Sequence, residues 1–177
     1  MRSLTEQQIK MARRAPLFDP DSLSEKVNYS SDLIERLLPH RGNFLLVEQI
    51  LAHDQQAGRL VGRRTLAADD PMFSGHFPGA PVYPGVLLVE MTGQHALCFA
   101  GLQQLEKASG IDAITPAPVR LIRIHDASFI NEAKPGDELT ILTQVFDDDG
   151  WTFKALGQVY RQETLISVSL FEVMIGG

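Results

Sequence analysis

Residues 86–105 are apolar on nearly every side of a helix, and this run restricts the fold more than any other feature of the chain. A helix laid on a surface shows one apolar stripe, whereas a helix apolar all round has to be enclosed. Counted from Val82, the run is long enough to span a bilayer. However, Glu90, Gln94 and His95 fall near its middle, where hydrocarbon would penalise them. The reading is a helix buried inside protein, with no membrane span, and the rest of the chain has to supply the wrapping.

Six stretches suit strands. Residues 44–50 and 59–65, joined by a polar turn at 53–58, predict a hairpin ahead of the helix. Residues 120–129, 138–146, 151–161 and 164–173 follow it, separated by Pro135-Gly136 and by polar turns at 147–150 and 161–163, and predict an antiparallel meander. A curled antiparallel β-sheet wrapped around one long central α-helix is an α+β architecture. The 177 residues provide for one sizeable core and do not call for a second full domain. Near the N-terminus, Ser3 and Glu6 have capping-box spacing for a short helix over 4–14, and residues 19–29 read as a polar connector. Ser30, Ser31 and Asp32 can cap a second helix carrying Leu33, Ile34, Leu37 and Leu38, which Pro39 ends. Residues 1–29 are therefore read as an N-terminal extension and residues 30–177 as the folded domain.

The net charge of −6 and pI near 5.3 argue against nucleic acid as a partner, because a phosphate backbone is bound by Lys and Arg. Cys98 is the single cysteine, which excludes a disulfide framework or a multi-cysteine zinc site and fits a cytoplasmic setting. The basic residues Arg2, Lys10, Arg13 and Arg14 flank no apolar run, so no secretory signal is visible.

The chemistry concentrates where a Gly- and Pro-rich loop, residues 69–84, feeds into the long helix. His76 sits there in the stiff segment Gly75-His76-Phe77-Pro78-Gly79, which would hold an imidazole in one orientation. Gly85 falls at the helix start, where free N–H groups favour an oxygen that gathers negative charge, such as a thioester carbonyl. Glu90, five residues on, is a partly desolvated carboxyl among apolar neighbours. Paired with a neutral His76 as base, it suits general-acid work in eliminating water. Gln94 lies one turn beyond Glu90 on the same face and can orient its carboxyl. A lone loop histidine is more often a solvated or structural residue. A glutamate in apolar surroundings is the stronger lead, since charged groups are rarely buried without a reason.

These residues carry a resemblance. The string Leu38-Pro39-His40-Arg41, then Phe44-Leu45-Leu46-Val47-Glu48, Gly75-His76-Phe77-Pro78-Gly79, Pro84-Gly85-Val86-Leu87, and Glu90 with Gln94 is similar in order and spacing to the FabZ-type hydroxyacyl-acyl-carrier-protein dehydratases. Phe129 with Pro135-Gly136-Asp137 extends the similarity, which covers residues 33–173. The resemblance implies a hot-dog fold and a homodimer joined through the sheets. Each site would be shared between two chains, and a trimer of dimers is compatible with this plan. By position, it implies that His76 removes the C2 proton and Glu90 protonates the departing C3 hydroxyl. It also implies that the Gly85 N–H polarises the thioester carbonyl and the Val82 carbonyl holds the imidazole tautomer. The product would be a trans-2-enoyl thioester, and a glutamate in place of the aspartate of FabA-type enzymes favours dehydration without isomerisation. The resemblance implies no metal or redox cofactor, with the acyl group arriving on the phosphopantetheine of acyl carrier protein or coenzyme A.

Phe77, Tyr83 and Met91 are candidates for the acyl tunnel, although core packing explains Tyr83 equally well and Met91, like Leu97 and Phe99, is read as a core residue first. His40 and Arg41 are read first as packing or hydrogen-bonding residues, His95 and His125 as structural, and His53 as a solvated turn residue. Glu132 interrupts the basic run expected before Pro135-Gly136, and Arg120, Arg123, Lys154 and Arg161 could supply a basic rim instead. Two rivals use the same framework: a hot-dog thioesterase with Glu90 activating water, and a noncatalytic acyl-thioester-binding subunit. The first has little need of His76, and the second of His76 and Glu90 together.

Overall fold

The computed structural model describes residues 6–176. In chain order its elements are α1 (Glu6–Ala12), β1 (Glu25–Tyr29), α2 (Ser31–Leu37), β2 (Gln49–Asp54), β3 (Arg59–Thr65), α3 (Met72–Gly75), α4 (Gly85–Lys107), β4 (Val119–Phe129), β5 (Glu138–Phe146), β6 (Thr152–Arg161) and β7 (Thr164–Ile175). Helix α4 starts directly after Pro84, and Lys107 places a cation in its last turn, near the negative end of the dipole. Leu88, Met91, Thr92, His95, Cys98, Phe99 and Leu102 are all buried, so most of the circumference of the helix is covered. This is the one helix among the described residues apolar and long enough to cross a membrane, and it is the enclosed core helix.

Strands β3, β5, β6 and β7 and helix α2 enclose α4. The sheet approaches the helix closely at two glycines: at Gly62 on β3 an added Cβ would collide with the His95 ring, and at Gly157 on β6 it would stand 2.5 Å from Thr92 Cβ, so glycine lets the sheet bed down on the helix. Among the described residues the sheet is antiparallel throughout, in the order β1-β2-β3-β5-β6-β7-β4. A long central helix inside a curled antiparallel sheet is the hot-dog arrangement.

The strand order corrects the expected four-strand meander. Strands β5, β6 and β7 are successive neighbours, but β4 pairs with β7 at the edge and β5 pairs with β3. The Pro135-Gly136-Asp137 turn decides this, because the Gly136 N–H donates to Leu66 O and the Leu66 N–H donates to Asp137 O. These bonds deliver β5 to the open edge of β3.

Two expectations near the N-terminus also change. Residues 19–29, read as a connector, contain a 3₁₀ turn at Pro20–Ser22 whose Asp19 side chain accepts from Asp21 N, followed by β1 paired with β2. His53, expected in a solvated turn, lies in β2 and is 3% exposed. Its ring stacks at 6.2 Å on Tyr29, and its Nε2 lies 3.4 Å from Glu25 of β1, so the strand not foreseen is what covers it.

The N-terminal stretch lies on the outer face of the sheet. Ala12 packs with Phe146, Leu156, Val168 and Leu170, while Phe18 and Leu23 pack with Ala52, Val61, Leu142 and Tyr160. Gln158 of β6, fully buried, ties this stretch down: its amide donates to the Ala12 and Ala15 carbonyls and accepts from Leu17 N–H. Ser3, half of the expected capping box, lies outside the described residues.

Candidate active site

His76 follows the short helix α3 and is bound to residue 82 twice. The Val82 N–H donates to His76 O at 2.9 Å, and the imidazole Nδ1 lies 2.9 Å from Val82 O. A carbonyl oxygen only accepts, so the hydrogen is on Nδ1 and Nε2 carries the free lone pair. The ring stacks on Phe77 at 4.0 Å between centroids, and the His76–Phe77 peptide is cis. Next along the chain, the Tyr83 N–H donates to Ala133 O, which pins this loop to the segment after β4. A cavity of about 480 Å³ opens here, lined by His76, Val82, Tyr83, Gly85, Phe129 and Glu132 among others. A Cβ at Gly85 would lie 2.9 Å from the Phe129 ring, so a side chain there would collide with the cavity wall.

Glu90 sits in the second turn of α4 with its side chain 28% exposed. Gln94 Nε2 donates to Glu90 Oε1 at 2.9 Å, the contact expected from one-turn spacing. Gln94 is itself held by backbone: Leu46 N–H donates to its Oε1 at 2.8 Å, and its Nε2 donates to Phe44 O at 2.8 Å. The orientation of the amide is therefore settled by partners that can only donate or only accept. His40 Nε2 stands 3.4 Å from the same Glu90 oxygen, a contact not foreseen although the Pro39-His40-Arg41 string had marked the residue. Burial lowers the His40 pKa, against the pull of the Glu90 carboxylate and with a smaller push from Arg41. His40, Glu90 and Gln94 line a second, smaller cavity with Leu97 and Leu121.

His76 and Glu90 thus belong to two different cavities of the single chain. Of the tunnel candidates, Tyr83 lines the His76 cavity, with its ring edge-on to Phe73 at 5.7 Å and its hydroxyl pushed up to about pKa 12, chiefly by burial. Phe77 is exposed, and Met91 lies wholly in the core beside Leu46 and Leu88, lining neither cavity. His95 is buried against Thr143 Oγ1 at 3.0 Å, and burial lowers its pKa to about 3. On the outer rim, Arg161 pairs with Asp137 and Lys154 with Asp147, while Arg120 and Arg123 lie on the exposed strand β4. Among the described residues no group of three or more His, Cys, Asp or Glu side chains is placed to hold a metal.

The model of the FabA-like domain matches residues 38–168, about three-quarters of the chain. The chain belongs to the FabA-like family. The FabA-like match contains His40, His76, Val82, Gly85, Glu90 and Gln94. Among relatives of this FabA-like chain, the 3-hydroxyacyl-[acyl-carrier-protein] dehydratase FabZ of Xanthomonas oryzae pv. oryzae is 36% identical over 63% of this chain and 69% of its own length. The FabZ dehydratase of Chlamydia trachomatis is 36% identical over 67% of this chain and 74% of its own. In structure, a chain of the dehydratase heterocomplex ApeI:P from Xenorhabdus doucetiae superposes with TM-score 0.69 at 16% identity, covering 81% of this chain and 91% of that one. A Helicobacter felis homologue of HP0420 superposes at 0.55 and 11% identity, covering 80% and 98%. At these identities both structures speak to the fold alone.

Proposed function

We infer that the chain is a hydro-lyase that dehydrates (3R)-hydroxyacyl thioesters to trans-2-enoyl thioesters; the naming of its FabZ relatives as 3-hydroxyacyl-[acyl-carrier-protein] dehydratases supports the dehydration. The observation that carries the assignment to residues is the imidazole tautomer. With Nδ1–H given to Val82 O, His76 Nε2 is the basic nitrogen and takes the C2 proton. The C2–H electron pair becomes the C2=C3 bond. The C3–O bond breaks, and Glu90 gives its proton to the departing hydroxyl, which leaves as water. The Gly85 N–H, first in α4, takes the thioester carbonyl as it gathers charge at the positive end of the helix. The reaction moves protons and a hydroxide and transfers no redox equivalents.

The separate cavities of His76 and Glu90 support a site completed by a second copy of the chain. Strand β4 supports the same reading. Among the described residues it pairs only with β7, and Leu121, Ile122 and Ile124 on it are 44–50% exposed. An eleven-residue edge strand carrying these exposed apolar side chains invites strand pairing, and a second β4 would extend the sheet across a homodimer. The acyl group would come on acyl carrier protein, as in the relatives' names, with coenzyme A thioesters as the other carrier to try.

Mass spectrometry of the purified chain with (3R)-hydroxyacyl thioesters on both carriers tests this reading. Loss of one water that depends on His76 is the expected result. Release of free acid and thiol would put a thioesterase in its place, and binding without reaction would put an acyl-binding subunit there.

A further inference from the structure

The mechanism uses one proton of Glu90 and leaves open which carboxyl oxygen carries it. Gln94, with its amide orientation settled, presents an N–H to Oε1 at 2.9 Å. His40 Nε2 stands 3.4 Å from the same oxygen, and among the described residues no hydrogen bond falls on Oε2. The His40 ring is held from both sides of the turn. It packs at 6.1 Å against Phe44, and Arg41 Nη1 donates to the Leu38 and His40 carbonyls at 2.6 Å. Its Nδ1 is buried with no partner. A buried N–H without an acceptor is rarer in folded proteins than a bare acceptor, which places the hydrogen on Nε2, facing Glu90. Burial also keeps the ring neutral, so it brings a donor to Glu90 without a full positive charge that would strip the acid of its proton.

We propose that His40 is a positioning residue for the general acid: its Nε2 stands beside Glu90 Oε1, the oxygen that the Gln94 amide already holds, leaving Oε2 as the oxygen that carries and delivers the proton. In the reaction, the Oε2–H bond breaks as the C3–O bond breaks, and the resulting carboxylate keeps the Gln94 donor on Oε1 and draws the neighbouring His40 Nε2–H toward it. This inference rests on the dehydratase reading for its catalytic consequence. Its geometric content stands separately.

The test joins kinetics to a direct view of the ring. In the full chain, His40→Phe keeps a ring against Phe44 and loses the donor, whereas His40→Gln returns an N–H at similar reach. His40→Phe is expected to lower kcat about tenfold to a hundredfold with KM little changed, and His40→Gln to recover most of the loss. Wild-type kcat in His40→Phe, or no recovery in His40→Gln while both variants melt like the wild type, overturns the proposal. Histidine ¹⁵N NMR of the unaltered chain, with the His40 signals identified by their absence in His40→Gln, is expected to show a neutral ring with its hydrogen on Nε2 at pH 7. A hydrogen on Nδ1, or an imidazolium, overturns it. The NMR result does not depend on turnover, so failure of this inference and failure of the dehydratase reading are told apart.

Discussion

Gln94→Leu severs the network that joins the acid to the fold, and its cost can be worked bond by bond. The side chain is fully buried and makes three hydrogen bonds: from Leu46 N–H, to Phe44 O and to Glu90 Oε1. Leucine fills a similar volume, so the cavity contribution is small. Glu90 is partly exposed, and water can replace the lost donor there. Phe44 is also exposed, so its carbonyl can take water, but the buried Leu46 N–H has no such recourse, and an unpaired buried polar group costs about 1–3 kcal/mol. The variant is therefore expected to unfold in urea with about 1–3 kcal/mol less stability than the wild type. The loss of orientation at Glu90 is expected to lower kcat about tenfold, equivalent to about 1.4 kcal/mol at the transition state, with KM held. Gln94→Glu serves as the partner control, because it keeps an acceptor for Leu46 N–H but offers no amide to Phe44 O or Glu90. Stability within about 0.5 kcal/mol of wild type together with unchanged kcat in Gln94→Leu would refute the reasoning.

His76→Ala and Glu90→Gln are each expected to abolish dehydration without loss of fold. Mixing the two inactive proteins is expected to restore part of the activity in mixed dimers; no restoration after proven subunit exchange would place the whole site in one chain. Gln158→Leu, which removes the ties to Ala12, Ala15 and Leu17, is expected to cost about 1–3 kcal/mol and to speed proteolysis ahead of β1. An unchanged cleavage pattern would show that these bonds do not hold the stretch. For pH, His95 is neutral when folded because burial lowers its pKa to about 3, from an ordinary value of 6.5. Between those values the unfolded chain binds the extra proton, so this group's contribution is complete above about pH 6.5. It is lost as pH falls toward 3, by up to about 1.4 kcal/mol per pH unit. His95→Gln is expected to flatten that slope in urea titrations across the window, and equal slopes would count against the assignment.

Much of this fold was legible because its signals are local. The all-round apolar run gave α4, and alternation between turn residues gave β3 and β5 over the ranges observed, Arg59–Thr65 and Glu138–Phe146. The strand order was not legible, because it depends on a turn meeting Leu66 from far along the chain. His53 was misread for a related reason: its cover comes from β1, whose residues Glu25–Tyr29 are mostly polar at an edge and carry little pattern. Within the site, the one-turn spacing of Glu90 and Gln94 foretold their hydrogen bond. Nothing in spacing could place His40, fifty residues earlier, beside the same carboxyl.

The largest local miss shows why the site region resists such reading. Residues 44–50 have the composition of a strand, yet the chain makes a 3₁₀ turn at Gly42–Phe44 and enters β2 only at Gln49. Between these points its backbone groups are taken by side chains: Phe44 O and Leu46 N–H by Gln94, and Leu45 O by Arg64. Each bond given to a side chain is withdrawn from a strand ladder, so the apolar residues Leu45, Leu46 and Val47 go into the core without pairing. The exchange costs little, since these three groups are each met by a side chain. It also places the His40–Phe44 turn beside Glu90 with a rigidity that a free loop would lack. Departure from the strand pattern and construction of the acid's surroundings are therefore the same event, and a substitution that restored ladder pairing here would disable the acid it now supports.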